Sequence, residues 1–184
     1  MLHTLVVYVE DKPGVLNRVA SLFRRRAFNI DSLTVGHTET PGVSRMTIVC
    51  DVDPLNARRV EANIYKLVDV LRVDDITEHA SVERELALIK VAATADTRAQ
   101  IIQLADVFRA RVIDVSEESL IVEITGGGDK SERLLDVLKP YGVLEVARSG
   151  RVAMARGPRP AERLADRFAG EETPQEPTGV SYSV

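Results

Sequence analysis

EDKPGVLNRVASLFRRRAFNID, at residues 10–31, joins the end of an apolar strand to an amphipathic helix through the pair Pro13-Gly14. The strand is predicted over residues 4–9, where the side chains are β-branched, apolar or aromatic. The helix is predicted because apolar residues recur at helical spacing, which places them on one face. That face consists of Val15, Leu16, Val19, Leu22 and Phe23. The stretch therefore predicts a strand followed by a helix that packs on a sheet.

The Pro13-Gly14 joint has the features of an anion site. Proline fits the first position of a helix, and Gly14 has no Cβ to keep a ligand from the backbone. The N–H groups of Gly14, Val15 and Leu16 would point outward at the positive end of the helix dipole, which suits a carboxylate. Asp11 can cap the helix or accept hydrogen bonds from an ammonium group. Two interpretations stay open: the stretch binds both ends of a free amino acid, or these residues only start a helix.

Residues 30–76 complete a first folding unit. Two strands, at residues 30–35 and 44–52, are joined by a loop that contains Pro41-Gly42. Pro54 begins a second helix, and a last strand follows at residues 70–76. The buried stripe predicted for this helix is Val60, Ile64, Leu67 and Val68. The order of elements is βαββαβ.

The same order repeats in the second half of the chain. A strand at residues 85–91 precedes a helix that begins with a capping box from Thr97 to Gln100. Its buried face is predicted to be Ile101, Leu104, Ala105 and Phe108. The remaining elements are strands at 112–115 and 120–125, a helix that carries Leu134, Leu135 and Leu138 and is capped by Asp129 or Ser131, and a strand at 143–147.

Two βαββαβ orders in succession predict an α+β protein made of two tandem ferredoxin-like domains. The predicted bounds are residues 1–79 for the first domain and 80–157 for the second. Residues 158–184 combine four prolines with Glu, Arg, Gly and Ser, a composition typical of a disordered tail.

The composition argues against several classes of protein. A hydrophobic content of 45% and a formal net charge of -4 are ordinary for a globular chain. No apolar run reaches the roughly 18 residues of a membrane span, and the first is too short for a signal peptide, so a cytoplasmic location is expected. Cys50, the only cysteine, lies among apolar residues and is predicted to be a buried structural thiol. His3, His37 and His79 show no metal-ligand spacing, and no metal site is expected.

Catalytic and nucleic-acid functions lack the residues that they need. No Ser, Cys or Lys stands in a recognisable nucleophile setting, and the acidic pairs fall at positions where solvated charges are expected. Arg24-Arg25-Arg26 raises the question of RNA binding, because RNA-recognition domains share the βαββαβ order. Those domains stack bases on aromatic residues of the sheet, and the strand at residues 44–50 offers none. The three arginines are therefore predicted to form a solvated helix face or a protein contact.

A ferredoxin-like unit with an acidic residue, Pro and Gly at its first strand-to-helix turn resembles the ACT domain, a regulatory module that binds amino acids between paired subunits. Further segments are similar to the small, regulatory subunit of acetolactate (acetohydroxyacid) synthase. They are FNIDSLTV (28–35), SRMTIV (44–49), KLVDVLRV (66–73), ERELALIKV (83–91), FRA (108–110), IDV (113–115) and EVARSG (145–150). The resemblance covers residues 2–157, and so many ordered matches are far more specific than the Pro-Gly joint alone.

The resemblance implies a non-catalytic subunit that activates a separate catalytic subunit. Thiamine diphosphate, Mg and FAD are expected on that partner, and no cofactor is expected on this chain. The resemblance also implies feedback inhibition by a branched-chain amino acid, usually valine, in valine, leucine and isoleucine biosynthesis. The effector would lie between the N-terminal ACT domains of a homodimer, and the second domain would be ACT-like. One subunit would contribute Asp11, Lys12, Pro13, Gly14, Val15 and Leu16 to the site, and the other Asn29 and Ile30.

An alternative function is a free-standing ACT-type amino-acid sensor that regulates transcription, although the sequence contains no helix-turn-helix or other DNA-reading element. Two positions depart from the family's pattern. Asp11 stands where Asn is frequent, which keeps the acceptor and adds a charge. Ala27 stands where Gly is frequent, and it would cost roughly 1 kcal/mol if the helix end keeps a left-handed conformation.

Overall fold

The computed structural model describes residues 1–157, and the predicted tail at 158–184 lies outside the described residues. In chain order the elements are β1 Leu2–Glu10, α1 Val15–Arg25, β2 Ile30–His37, β3 Val43–Asp51, α2 Pro54–Ile64, β4 Val70–Asp75, β5 Ser81–Ala92, α3 Ala95–Val107, β6 Arg111–Val115, β7 Ser119–Gly126, α4 Gly128–Leu138, a 3-10 helix Lys139–Tyr141, β8 Val143–Arg148 and β9 Val152–Ala155. None of the helices in residues 1–157 is long and apolar enough to cross a lipid bilayer.

The first unit is an antiparallel sheet with α1 and α2 packed on one face. Its strand order is β2-β3-β1-β4, and β1 pairs with β3 along its whole length. Side chains of a strand alternate between the two faces of the sheet, so every second residue of β1 points to the helices. The core includes Leu5, Val7, Val9, Val19, Phe23, Met46, Ile48, Val60 and Ile64. The predicted βαββαβ order is confirmed.

The second unit repeats this architecture with the strand order β6-β7-β5-β8. Its core includes Ala87, Ile89, Val91, Ile101, Ala105, Leu120, Val122, Ile124, Leu134 and Leu138. Leu104 and Phe108 pack against this core, which confirms the predicted buried face of α3. The α+β class with two tandem ferredoxin-like units is therefore confirmed.

Helix α2 ends earlier than its apolar pattern predicts. Val60 and Ile64 are fully buried, but the helix stops at Ile64, and Val68 is 93% exposed. The N–H of Leu67 donates to the Ile64 carbonyl at 3.0 Å, and the N–H of Val70 donates to the Leu67 carbonyl at 3.1 Å. These short-range bonds turn the chain into β4, so the helical spacing does not carry Val68 into the core, and the prediction for Val68 is wrong.

The starts of α3 and α4 also differ from the prediction. Thr94 and Thr97 each accept a hydrogen bond from the other's backbone N–H, which forms a capping box three residues before the predicted one. The predicted cap of α4 by Asp129 or Ser131 is wrong, because its N-cap is Gly127 and no side chain among residues 1–157 caps it. Ser131 instead donates to the Glu85 carboxylate and to the Gly128 carbonyl.

Strand β9 was not predicted, and it joins the two units. It pairs with residues 81–84, the first part of β5, which extends beyond the second sheet. Ala153 of β9 is fully buried and packs against Val6 and Ile76 of the first unit. Since Val6 lies on the face of β1 opposite to the core residues, β9 covers the face of the first sheet that the helices leave open.

Polar contacts hold β9 and the residues before it in place. The Arg151 N–H donates to Ser32 Oγ at 2.8 Å, and Thr34 Oγ1 donates to the Arg151 carbonyl at 2.9 Å. The Arg45 guanidinium donates to the Ala153 carbonyl. These bonds fix the second unit against β2 and β3 of the first.

The chain leaves α1 through a left-handed alanine. Ala27 has a φ of 55°, so the conformation for which glycine is suited is retained at this position. The backbone N–H of Ala27 donates to the Arg24 carbonyl at 3.1 Å, and that of Phe28 to the Phe23 carbonyl at 3.1 Å. These two bonds hold the turn.

We expect Ala27→Gly to raise the free energy of unfolding by about 1 kcal/mol, because glycine has no Cβ to oppose a positive φ. Denaturant titration followed by circular dichroism measures the change. Ala20→Gly, inside α1, is the control and should lower the same quantity by about 1 kcal/mol. Effects of the same sign in the two variants would contradict the assignment of strain to Ala27.

Cys50 is fully buried in the first core, which confirms the predicted structural thiol. Burial raises the pKa of the Cys50 thiol to about 11, and the charges of Asp75 and Asp51 add to the shift. Because this pKa lies above the ordinary value of 9.0, the neutral thiol stabilises the fold below pH 9, and the contribution is lost as the pH rises toward 11.

We expect a disulfide-exchange reagent to leave Cys50 unlabelled in the folded protein at neutral pH and to label it fully in denaturant. The rate of labelling measured against denaturant concentration should follow the unfolding transition. Labelling in native buffer at the rate of a free cysteine would show that the thiol is accessible.

Candidate functional site

The turn between β1 and α1 is built around a left-handed glycine. Gly14 has a φ of 84° and is the N-cap of α1, which begins at Val15. The Val15 N–H donates to the Lys12 carbonyl at 3.4 Å, and the Arg18 N–H donates to the Gly14 carbonyl at 3.0 Å. Pro13 therefore lies in the turn before the helix, and its predicted place as the first helical residue is wrong. Glycine tolerates the left-handed conformation, so the chain turns at Gly14 before the helix begins.

Three backbone N–H groups at this turn, those of Gly14, Leu16 and Asn17, have no acceptor within residues 1–157. The N–H of Val15 was also predicted to be free, but it donates to the Lys12 carbonyl within the turn. A Cβ built on Gly14 would have no atom within 4 Å, so the space in front of the turn is open. Unpaired donors at the positive end of a helix dipole can hold a carboxylate.

Asp11 faces the β2–β3 hairpin and does not cap α1. Its Oδ1 accepts a hydrogen bond from Ser44 Oγ at 3.1 Å, and its Oδ2 lies 3.3 Å from His37 Nδ1. The Asp11 N–H donates to the Gly42 carbonyl at 2.8 Å. The prediction of a helix cap is therefore wrong, while the carboxylate is held in place and remains half-exposed. Such a carboxylate can accept hydrogen bonds from an ammonium group.

His37 and Ser44 belong to this site and were not predicted. The register pairs Val9 with Ser44 and Ser44 with His37, which sets both beside the end of β1. Strand order alone does not reveal this arrangement, because it depends on the register of two strand pairs. The one signal in the sequence was a polar serine at the start of a strand that is otherwise mostly apolar.

Ion pairs connect the turn to its surroundings. Lys12 Nζ lies 2.7 Å from Glu10 Oε2, so the side chain of the predicted site residue Lys12 contacts the last residue of β1. Arg18 Nη1 lies 3.0 Å from the nearly buried Asp69 carboxylate, and the Glu10 N–H donates to the Asp69 carbonyl at 2.9 Å. These contacts fasten the turn to the segment between α2 and β4. Within residues 1–157, no three His, Cys, Asp or Glu side chains are grouped so that they could hold a metal ion.

The predicted apolar residues are divided between core and surface. The Val15 side chain is buried in the first core, whereas Leu16 is 43% exposed beside the turn. Asn29 is exposed and lies just before β2. Ile30 is the first residue of β2 and packs partly against the core. At about 3.3 Å per residue, Ile30 lies roughly 23 Å from His37 at the other end of β2. One chain alone therefore does not bring Asn29 and Ile30 to the Asp11 turn.

Comparison with known proteins places this chain in a family. Residues 84–157 match the family described as "Small subunit of acetolactate synthase", and residues 5–72 match the "AHAS small subunit-like ACT domain". The chain belongs to the family of acetolactate synthase small subunits. The matched residues cover both units of the fold.

Individual relatives support the assignment to acetolactate synthase small subunits. The chain is 55% identical over 157 residues to the acetolactate synthase small subunit of Mycolicibacterium smegmatis, across 85% of this chain and 92% of that protein. It is 52% identical over 157 residues to the probable small subunit of Archaeoglobus fulgidus, across 85% and 98%. The crystal structure of the small subunit from Thermotoga maritima has a TM-score of 0.78 at 44% identity, covering 86% of this chain and 99% of that one.

We expect Gly14→Ala to lower the free energy of unfolding by about 1 to 2 kcal/mol, because a Cβ opposes the left-handed backbone although nothing contacts it. Gly127→Ala is the matched control, since Gly127 is also a helix N-cap with open space around it but has a φ of -72°. The difference between the two variants in thermal unfolding isolates the effect of positive φ. Equal losses would mean that Gly14 is required only as a cap.

Proposed function

We propose that this chain is the regulatory subunit of an acetolactate synthase, which binds a branched-chain amino acid at the turn between β1 and α1 and activates a separate catalytic subunit. One observation carries the proposal: the turn that holds the carboxylate of Asp11 against Ser44 also contains, three and five residues later, the N–H groups of Gly14 and Leu16, which have no acceptor within residues 1–157. The carboxylate of a free amino acid would accept from these donors, and its ammonium group would donate to Asp11.

The chemistry of the complex belongs, in this proposal, to the catalytic subunit. That partner would carry the thiamine diphosphate, Mg and FAD, and this chain would supply regulation alone. Occupation of the site would inhibit the complex, which is feedback by an end product of valine, leucine and isoleucine biosynthesis.

A homodimer formed through β2 would complete the site. β2 is an edge strand, and no strand among residues 1–157 pairs with its outer edge. Antiparallel pairing of two β2 edges about a two-fold axis sets the start of one strand beside the end of the other. Asn29 and Ile30 of one subunit would then lie beside Asp11 and His37 of the other. This arrangement removes the separation of roughly 23 Å that exists within one chain.

The apolar surface at the turn favours an aliphatic effector. Leu16 is exposed beside the free N–H groups, and Ile30 would approach it from the second subunit. A branched side chain would bury apolar area against both residues. We propose valine as the effector, and since one methylene in an apolar pocket is worth about 1 to 3 kcal/mol, leucine and isoleucine should bind with measurably different affinity.

We expect Asp11→Ala to weaken valine binding by roughly 10- to 150-fold, because hydrogen bonds to a charged group contribute about 1.5 to 3 kcal/mol. Gly14→Asp should abolish binding, since it adds a negative charge where the effector carboxylate meets the N–H donors. Both variants should lose feedback inhibition and keep activation. Calorimetry with valine and activity assays of the reconstituted complex measure the two effects.

Glu118→Ala is the control for these variants, because it removes an exposed carboxylate from a turn of the second unit. It should bind valine and transmit inhibition as the unmodified protein does. If Asp11→Ala folds and is inhibited at the same valine concentration as the control, the turn only starts a helix and the proposed site is wrong.

A further inference from the structure

The two helices of the first unit form an unusually basic layer. We define the first helical layer as residues 15–28 and 53–69, which hold α1, α2 and their ends. It contains seven cationic residues, all exposed: Arg18, Arg24, Arg25, Arg26, Arg58, Arg59 and Lys66. It contains three acidic residues: Asp53, Glu61 and Asp69. A surplus of positive charge therefore gathers on one face of a chain whose formal net charge is -4.

The second unit shows that the fold itself does not require this charge. Its helical layer, residues 95–109 and 128–139, contains five acidic and five basic residues. Lys139 and Asp136 of this layer form an ion pair, with 2.7 Å between Lys139 Nζ and Asp136 Oδ1. The same architecture is thus built with a neutral layer in one unit and a basic layer in the other.

The three acidic residues of the first helical layer are too few to balance its seven cations, and one ion pair joins the two sets within residues 1–157. Asp69 pairs with Arg18 and is nearly buried. Asp53 accepts the N–H groups of Leu55 and Asn56 at 3.0 Å as the cap of α2. Glu61 forms no ion pair with a cation of the layer within residues 1–157. The remaining six cations have no ion pair within residues 1–157.

Some of these cations approach one another. Arg26 Nη2 and Lys66 Nζ both donate to the single Oδ1 of Asn63, at 3.4 and 3.3 Å. Arg59 contacts the neutral Asn56 amide at 3.5 Å. Like charges that converge on neutral amides repel one another, so the folded monomer gains little from this arrangement.

The helix dipole explains only part of the pattern. Arg24 and Arg25 lie in the last turn of α1, where a positive charge is stabilising. Arg58 and Arg59 lie in the middle of α2, outside the last turn, where the dipole gives them no such support. Their exposure and lack of ion pairs within residues 1–157 leave both guanidinium groups available to a partner outside the chain.

We infer that the first helical layer docks on an acidic surface of the catalytic acetolactate synthase subunit, an inference that rests on the function proposed above. Charge complementarity is the basis of recognition, because opposite surface potentials steer association and fix the orientation of two proteins. The proposed dimer strengthens the effect. Pairing of two β2 edges about an axis normal to the sheet leaves both helical layers on the same side, where they form one extended basic surface.

A protein partner fits this layer better than a nucleic acid. Proteins that bind single strands combine basic grooves with several aromatic side chains on which bases stack. Among residues 1–157, the first helical layer exposes one large aromatic ring, Tyr65, and its hydroxyl donates to the Val73 carbonyl at 3.2 Å. The layer therefore offers charge without a stacking platform.

Charge reversal at matched positions tests the inference. Arg58→Glu changes an exposed residue in the middle of α2, and Arg133→Glu changes its counterpart in the middle of α4. Neither side chain makes an ion pair within residues 1–157. Association of the full-length variants with the purified catalytic subunit is measured by surface plasmon resonance at low and high salt. Calorimetric binding of valine and thermal unfolding report whether each variant is folded.

We expect Arg58→Glu to weaken association by roughly tenfold or more at low salt and to reduce its salt dependence, while Arg133→Glu has no effect. The double variant Arg58→Glu/Arg59→Glu should weaken association further, with valine binding unchanged. If Arg58→Glu and Arg133→Glu both bind the catalytic subunit as the unmodified protein does, the inference is overturned and the regulatory function stands.

Two other outcomes separate the inference from the proposed function. If the unmodified protein does not bind the catalytic subunit, the proposed function itself fails, and the inference fails with it. If the unmodified protein binds a short single-stranded RNA and Arg58→Glu abolishes that binding while its association with the catalytic subunit is unchanged, the layer is a nucleic-acid surface and the inference is overturned.

Discussion

The pairing of β5 with β9 is the interaction on which the arrangement of the two units depends. Residues 87–91 of β5 pair with β7 and β8 inside the second sheet, whereas residues 81–84 extend beyond it and pair with β9. The two-stranded ribbon formed by residues 81–84 and β9 buries Ala153 against Val6 and Ile76. Burial of a valine or isoleucine side chain stabilises a fold by about 1.5 to 3 kcal/mol. The first sheet therefore needs the end of the second unit to cover its open face.

The same ribbon connects the second unit to the strand that carries the candidate site. Ser32 and Thr34 of β2 are hydrogen-bonded to Arg151, and β2 runs from Ile30 to His37. A shift of β2 on effector binding would have to move the ribbon or break these bonds. Each hydrogen bond contributes about 0.5 to 1.5 kcal/mol, and allosteric coupling is typically about 1 to 3 kcal/mol. Two such bonds are thus of the size needed to link the proposed effector site to the second unit.

Local patterns in the sequence predicted most of the fold, and non-local contacts account for what they missed. Alternation in the strands and helical spacing in α1 and α3 are properties of neighbouring residues, so both βαββαβ units were predictable. β9 is four residues long, and its partner in β5 lies about 70 residues earlier, so no local pattern marks it. Val68 fits the apolar spacing of α2, but a tight turn after Ile64 ends the helix first. At the candidate site, Asp11 and Gly14 were predictable as turn residues, whereas His37 and Ser44 depend on strand register.

In the proposed site, the aspartate at position 11 would determine what kind of ligand the turn can hold. Each carboxylate oxygen of Asp11 has one protein contact, to Ser44 or to His37, and has lone pairs left for a further donor. Asn at this position would keep one acceptor, but a bond from an ammonium group to a carboxylate is charge-assisted and roughly twice as strong. The negative charge would repel a ligand that carries only a carboxylate. Donors at Gly14 and Leu16 would offset that repulsion only for a molecule whose ammonium group lies on Asp11 at the same time, so the proposed site would select a zwitterion.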